Sequence, residues 1–269
     1  MKKLLVLVSV AMLMVGCAST DLTIKDHKAS FLFDNGGTRV MNILSHSVTD
    51  SYFNGVLNRC IGNGDKVVYL YVGYNNGDGA GTTSFYVNDK FGGETDNNKL
   101  NIMKNRMKAV RKKDVHIVGW IFPDDNGSKI NFRDTEGLKR CIKVVVDNFD
   151  EYISEYVLVL EANESVSAGQ IDEMAGYIKS ITKDKPIGNH QTPGRYDYSQ
   201  LGNIDKHYHQ YGFNKPTSFI DSETKKVIGA IGKPVIAAEY DLSSDSPNAK
   251  ARGDAAMGAG AKGTGNGRN

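Results

Sequence analysis

The sequence carries almost no excess charge of either sign: 33 Lys and Arg stand against 31 Asp and Glu, a formal net charge of +2 over 269 residues. The basic residues are scattered, so the broad positive face of a nucleic-acid binder is missing and that class of partner is excluded. Apolar runs of membrane-spanning length are missing too, since the run from Leu4 to Val15 is too short for a comfortable span. No internal repeat or low-complexity tract stands out except the Gly-rich end "GDAAMGAGAKGTGNGRN", and no Gly-rich phosphate turn follows the first strand-like segment. What is present, 40% apolar and 24% charged residues, fits one large globular domain or two small ones and does not fit disorder.

Lys2-Lys3 followed by Leu4 to Val15 has the charged-then-apolar layout of an export signal. The segment ends in "LMVGC", which resembles the bacterial lipobox. That resemblance implies that residues 1–16 are a signal peptide and that Cys17 is the acylated N-terminus of an exported, membrane-anchored lipoprotein, facing the periplasm or the cell surface. Residues 17–37 then read as a tether. A plain secretory signal with a chance cysteine is the alternative. Cysteine is otherwise scarce: Cys60 and Cys141 remain, each on the apolar stripe of an expected helix, where a thiol packs as a small hydrophobe. An exported compartment would also permit a bond between them.

From residue 38 to 269, strand-length apolar runs alternate with helices. Strands are expected at Val40 to Leu44, Val67 to Val72, Val115 to Ile121, Val157 to Leu160, Pro186 to Gly188, Ile204 to His209, Val235 to Ala238 and Ala261 to Gly265. Between them, Leu100, Met103, Met107 and Val110 form one helical stripe, Leu138, Cys141, Ile142, Val145 and Phe149 a second, and Ile171, Met174, Ala175 and Ile178 a third. Runs such as "VVYLYV" and "VLVL" are continuously apolar, as in parallel strands covered on both faces. About eight such units predict an α/β fold, a (β/α)8 TIM barrel lacking a last helix. Ser167 and Gln170 form a capping box, so the helix after "VLVLEANE" starts near Ser167 and Glu164 belongs to the strand-to-helix connection, at the C-terminal mouth where barrel chemistry is done.

Glu164 after the fourth strand and Glu239 at the end of the seventh would face each other across that mouth. Two carboxyl groups there can flank a sugar, one protonating the leaving oxygen and one attacking the anomeric carbon; about 5 to 5.5 Å between them gives retention and about 6.5 to 9.5 Å inversion. Asn163-Glu164 with Glu239, "HYHQYG" after Ile204, and "RGDAAMGAGAKGTGNG" resemble clan A of the glycoside hydrolases. The resemblance implies Glu164 as acid/base, Glu239 as nucleophile, Asn163 as donor to the sugar 2-hydroxyl, and His207, Tyr208 or His209 as sugar contacts or orienters of the nucleophile. It implies a carbohydrate substrate, retaining hydrolysis of a glycosidic bond and no cofactor. The sequence departs from the clan in having no clear Arg at the end of the second strand and no Trp after the eighth.

Other residues stand beside these. Glu161 competes with Glu164 but lacks the adjacent Asn, and a shift of one residue exchanges inside for outside along a strand. His207 and His209 share a strand face with Asp205, which would also suit a metal-dependent hydrolase. His190 is a pocket candidate, while His116 reads as structural. Trp120 could stack on a sugar or fill the core. Tyr74, Asn75 and Asn76 end the second strand and Asp124 and Asp125 the third, where they could line the mouth or simply serve turns. A catalytically inactive barrel lipoprotein that binds glycan or protein is the rival to the enzyme.

Overall fold

The structure, a computed structural model, describes residues 28–30, 40–62, 64–75, 83–124, 129–182, 184–240 and 247–266. The expected signal peptide, Cys17, Asn76 and Asp125 lie outside the described residues. Eight parallel strands close into a barrel in sequence order: β1 Lys28–Ser30, β2 Val67–Tyr71, β3 His116–Phe122, β4 Ile153–Val159, β5 Ile187–Gln191, β6 Lys206–Gln210, β7 Val235–Glu239 and β8 Gly263–Asn266, with β1 paired to both β2 and β8. The expected (β/α)8 architecture is therefore observed.

Seven of the expected strands coincide with observed ones. The first does not: Val40–Asn42 is a single 3-10 turn, and β1 lies upstream of it. Met41, Ile43 and Leu44 are buried, so the run is apolar because it covers the barrel's interior and its helical sleeve. A short buried turn and a short buried strand have the same composition, and periodicity cannot separate them.

The helices are α1 Asp50–Gly62, α2 Asn97–Arg111, α3 Thr135–Phe149, α4 Ala162–Ser165, α5 Ala168–Ile181, α6 Thr217–Ile231 and α7 Pro247–Gly258. Their stripes are buried as expected: Leu100, Met103, Met107 and Val110 on α2, and Leu138, Cys141, Ile142, Val145 and Phe149 on α3. Asp96 caps α2 by accepting from the backbone N–H groups of Asn98 and Lys99, and the Ser167–Gln170 capping box starts α5. Cys60 and Cys141 are separate buried thiols, each pushed up to about 12 chiefly by burial. Among the described residues no helix is long and apolar enough to cross a membrane.

Strand alternation divides the apolar side chains into two compartments. Val68, Leu70, Ile117, Ile121, Tyr156 and Leu158 face the helices, while Val67, Tyr69, Tyr71, Val118, Trp120, Val157, Tyr208 and Ile236 fill the barrel. The large rings inside depend on glycine in nearby strands. A Cβ on Gly188 would lie 2.5 Å from the Tyr208 ring, and one on Gly265 would lie 2.3 Å from that of Tyr69. Gly188 and Gly265 are thus packing positions that leave the interior full.

Candidate active site

The site is built on that filled interior. Tyr69, Trp120 and Tyr208 pack with ring centroids 5.7 to 6.1 Å apart, and His190 meets Trp120 edge-on at 5.2 Å. Below them, toward the strand N-termini, Glu155 accepts from the Tyr208 hydroxyl at 2.7 Å and from Lys206 Nζ at 2.6 Å. Burial raises the Glu155 carboxyl, and Lys206 and Tyr208 pull against it. This buried ion pair lies beneath the aromatic layer, away from the mouth. A depression of about 620 Å³ also opens at that lower end, among Lys179, Asp184, Lys185, Asp205 and Lys206. Its charges serve the fold: Lys179 pairs with Asp205 at 2.8 Å, and Asp205 accepts from the backbone N–H of Ile187.

At the opposite end the strands deliver carboxyl groups. Asp124, just past β3, is buried, and Glu239, the last residue of β7, is 3% exposed. The β6–β7 ladder shifts register between His209 and Gln210, which pairs Gln210 with Glu239. There Gln210 Nε2 donates to Glu239 Oε2 at 2.8 Å. Glu161 also reaches this group. Burial pushes its carboxyl up to about 7; the charges of Glu239, Glu164 and Asp124 add to the rise, and a hydrogen bond from Gln210 opposes it. Like charges in a poorly solvated hollow favour keeping one proton, the condition for an acid beside a carboxylate.

Glu164 stands exposed on α4, a single helical turn inserted between β4 and α5 where an irregular connection was expected. Asn163 next to it is engaged elsewhere: its Oδ1 accepts from the Thr192 backbone N–H at 2.9 Å and its Nδ2 donates to Thr192 Oγ1 at 2.8 Å, tying the ends of β4 and β5 together. His190 points inside the barrel, and its Nδ1 accepts from the Glu161 backbone N–H at 3.0 Å. That bond puts the proton of the neutral ring on Nε2.

The remaining expected sugar contacts lie elsewhere. His207 and His209 do share a strand face, but it is the outer one: Tyr208 between them points inward, so they enter the layer between the sheet and the helices. His207 Nδ1 lies 2.7 Å from Ser199 Oγ, and its Nε2 lies 2.9 Å from His209 Nδ1. Strand periodicity correctly puts i and i+2 together but does not say which face is the hollow. Tyr208 is fully buried on Glu155, and Trp120 is fully buried in the aromatic layer. Tyr74 is buried against Tyr86 and Phe91 and donates to the Asp89 carbonyl; Asn75 donates to Asn42 Oδ1 at 3.0 Å. Both hold the β2–α2 connection. His116 bonds Arg111 and Ser154, as a structural histidine would. Among the described residues no group of three or more His, Cys, Asp and Glu is placed to hold a metal ion.

No protein-family profile matches the sequence, and no curated protein matches it. Solved structures do match the fold. A glycoside hydrolase family 5 protein from Bacteroides vulgatus superposes with a TM-score of 0.63 at 13% identity, over 90% of this chain and 57% of that one. An exo-β-1,4-mannosidase from an Opitutaceae bacterium gives 0.65 at 15% identity, over 89% and 51%. A β-glucosidase from Thermotoga maritima gives 0.59 at 12% identity, over 90% and 87%. The chain spans 57% and 51% of the first two, little more than half their length. At these identities the likeness is one of fold.

The outer histidines generate a pH dependence. Burial lowers both, His209 to about 3, and the two facing ring nitrogens have room for one proton between them. A histidine lowered on folding contributes stability that is complete above its unfolded value near 6.5 and is lost as pH falls toward the folded one. Denaturant unfolding measured from pH 7.5 to 4 should show stability falling below pH 6.5. His209→Gln should flatten that fall, and an unchanged slope would remove His209 as its source.

Proposed function

We propose that the chain is a retaining glycoside hydrolase acting on a β-linked carbohydrate. The observation that carries this reading is the cluster of carboxyl groups at the C-terminal end of the barrel, with the Gln210 amide donating to Glu239. In this reading a carboxylate oxygen of Glu239 attacks the anomeric carbon while a carboxyl at the end of β4 gives its proton to the leaving oxygen. Water, deprotonated by that same β4 group, then releases the sugar from Glu239. The Asn-Glu motif puts Glu164 forward for the acid/base position. The names of the fold's solved neighbours suggest β-mannosides and β-glucosides as first substrates.

A glycan-binding barrel without turnover is the second reading, and it is favoured by Asn163, whose amide is taken up by Thr192. Aryl β-glucosides and aryl β-mannosides discriminate. The wild-type chain should release the aryl group from one of them, and Glu239→Gln should reduce release to background. Binding of the corresponding oligosaccharides with no release by the wild type would establish the second reading.

Export and anchoring through Cys17 belong to the same proposal, supported by the lipobox-like "LMVGC". In a bacterial host the full chain should fractionate with membranes and incorporate labelled fatty acid. Cys17→Ser should abolish both, and a labelled Cys17→Ser protein would rule out this anchor.

A further inference from the structure

Two glutamates follow β4, and their surroundings differ. Glu164 lies exposed on α4. Glu161 is half-buried at the residue that begins this turn, with its backbone in the left-handed region at φ 47°, ψ 46°. That conformation is strained for a non-glycine residue and persists only where neighbouring groups hold it. Two bonds hold it: the Glu161 N–H donates to His190 Nδ1 at 3.0 Å, and its carbonyl accepts from the Glu164 N–H at 2.9 Å. Because the strand's alternation stops there, the side chain's direction is set by this turn.

The turn brings Glu161 to the group that holds Glu239. Gln210 Nε2 donates to Glu239 Oε2 at 2.8 Å, and both the Gln210 side chain and the charge of Glu239 act on the Glu161 carboxyl. A retaining mechanism needs its two carboxyl groups about 5 to 5.5 Å apart, so a half-buried carboxyl that meets the same amide as Glu239 is the candidate partner.

Given the glycosidase reading above, we propose that Glu161, and not Glu164, is the acid/base partner of Glu239, the two facing each other across the Gln210 amide. In the first step a Glu239 oxygen bonds to the anomeric carbon, the bond from that carbon to the leaving oxygen breaks, and the Glu161 carboxyl proton moves to the leaving oxygen. In the second, the Glu161 carboxylate takes a proton from water, the water oxygen bonds to the anomeric carbon, and the ester to Glu239 breaks. The groups around Glu161 are Asp124 after β3, Glu164 on α4, His190 on β5, Gln210 on β6 and Glu239 on β7. Burial and the three neighbouring carboxyl groups push Glu161 up to about 7, so it keeps its proton up to neutrality, and kcat should fall as pH rises above 7. Glu164 in this arrangement is a nearby negative charge whose removal moves that alkaline limb to lower pH.

The experiment compares Glu161→Gln and Glu164→Gln on 4-nitrophenyl and 2,4-dinitrophenyl glycosides of the sugar that the wild type cleaves. Glu161→Gln should lose about 10²- to 10⁴-fold on the 4-nitrophenyl substrate and far less on the dinitrophenyl one, which needs little proton assistance. It should also lose the alkaline limb, and azide should restore turnover, giving a glycosyl azide of retained configuration. Glu161→Asp should keep the limb at reduced kcat, a readout that does not depend on the Gln variant folding. Glu164→Gln should keep wild-type leaving-group dependence. If Glu164→Gln instead shows the leaving-group dependence and azide rescue while Glu161→Gln behaves as wild type, the assignment is overturned and the glycosidase reading stands. If Glu239→Gln is fully active, the glycosidase reading itself fails.

Discussion

Two carboxyl groups placed close together in a half-buried hollow repel one another, and in the proposed arrangement the amide of Gln210, which donates to Glu239, is the contact that lets Glu161 and Glu239 occupy it together. A neutral donor is suited to this position. It lowers the cost of a negative charge on either side without neutralising the pair, so one proton can remain on Glu161 while Glu239 accepts a hydrogen bond. The contact depends in turn on two departures from regular geometry. A register shift sets Gln210 beside Glu239, and a left-handed residue ends β4 at Glu161.

Those departures are held by the rest of the barrel. His190 fixes the Glu161 backbone from β5, and Trp120 meets the His190 ring from β3. Tyr69 and Tyr208 fill the space beneath, where Gly188 and Gly265 leave room for them. Tyr208 is itself held by Glu155, whose charge is matched by Lys206. The chain of contact runs from a buried ion pair through an aromatic layer to the site, so each carboxyl at the mouth rests on a packed floor. Asn163 contributes from the side by joining β4 and β5 through Thr192.

Most of this fold is legible in the sequence because parallel strands covered on both faces leave continuous apolar runs, and because helices on a barrel leave one stripe each. Val40 to Leu44 misleads, since a turn that covers the barrel has the same composition as a strand within it. The site is legible in part. Glu239 and the end of β4 follow from the position of acids after apolar runs, and the pairing of His207 with His209 follows from a period of two. Which face those histidines occupy depends on where the ladder lies relative to the helices, and no local pattern records that. Gln210 carries no signal at all, because only the register shift makes it Glu239's neighbour. Glu161 is visible as an acid, but a positive φ at a non-glycine residue is not, and that angle sets the direction of its side chain.

The arrangement of Glu161 and Glu239 about one amide is tested most directly by titrating the side-chain carboxyls of the protein, labelled with ¹³C-glutamate, by NMR. The expected spectra contain one glutamate carboxyl titrating near pH 7, absent from Glu161→Gln and moved to lower pH in Glu239→Gln, where a neighbouring negative charge has gone. If the signal removed by Glu161→Gln titrates near 4 like a solvated glutamate, or does not respond to Glu239→Gln, the two groups do not share one hollow.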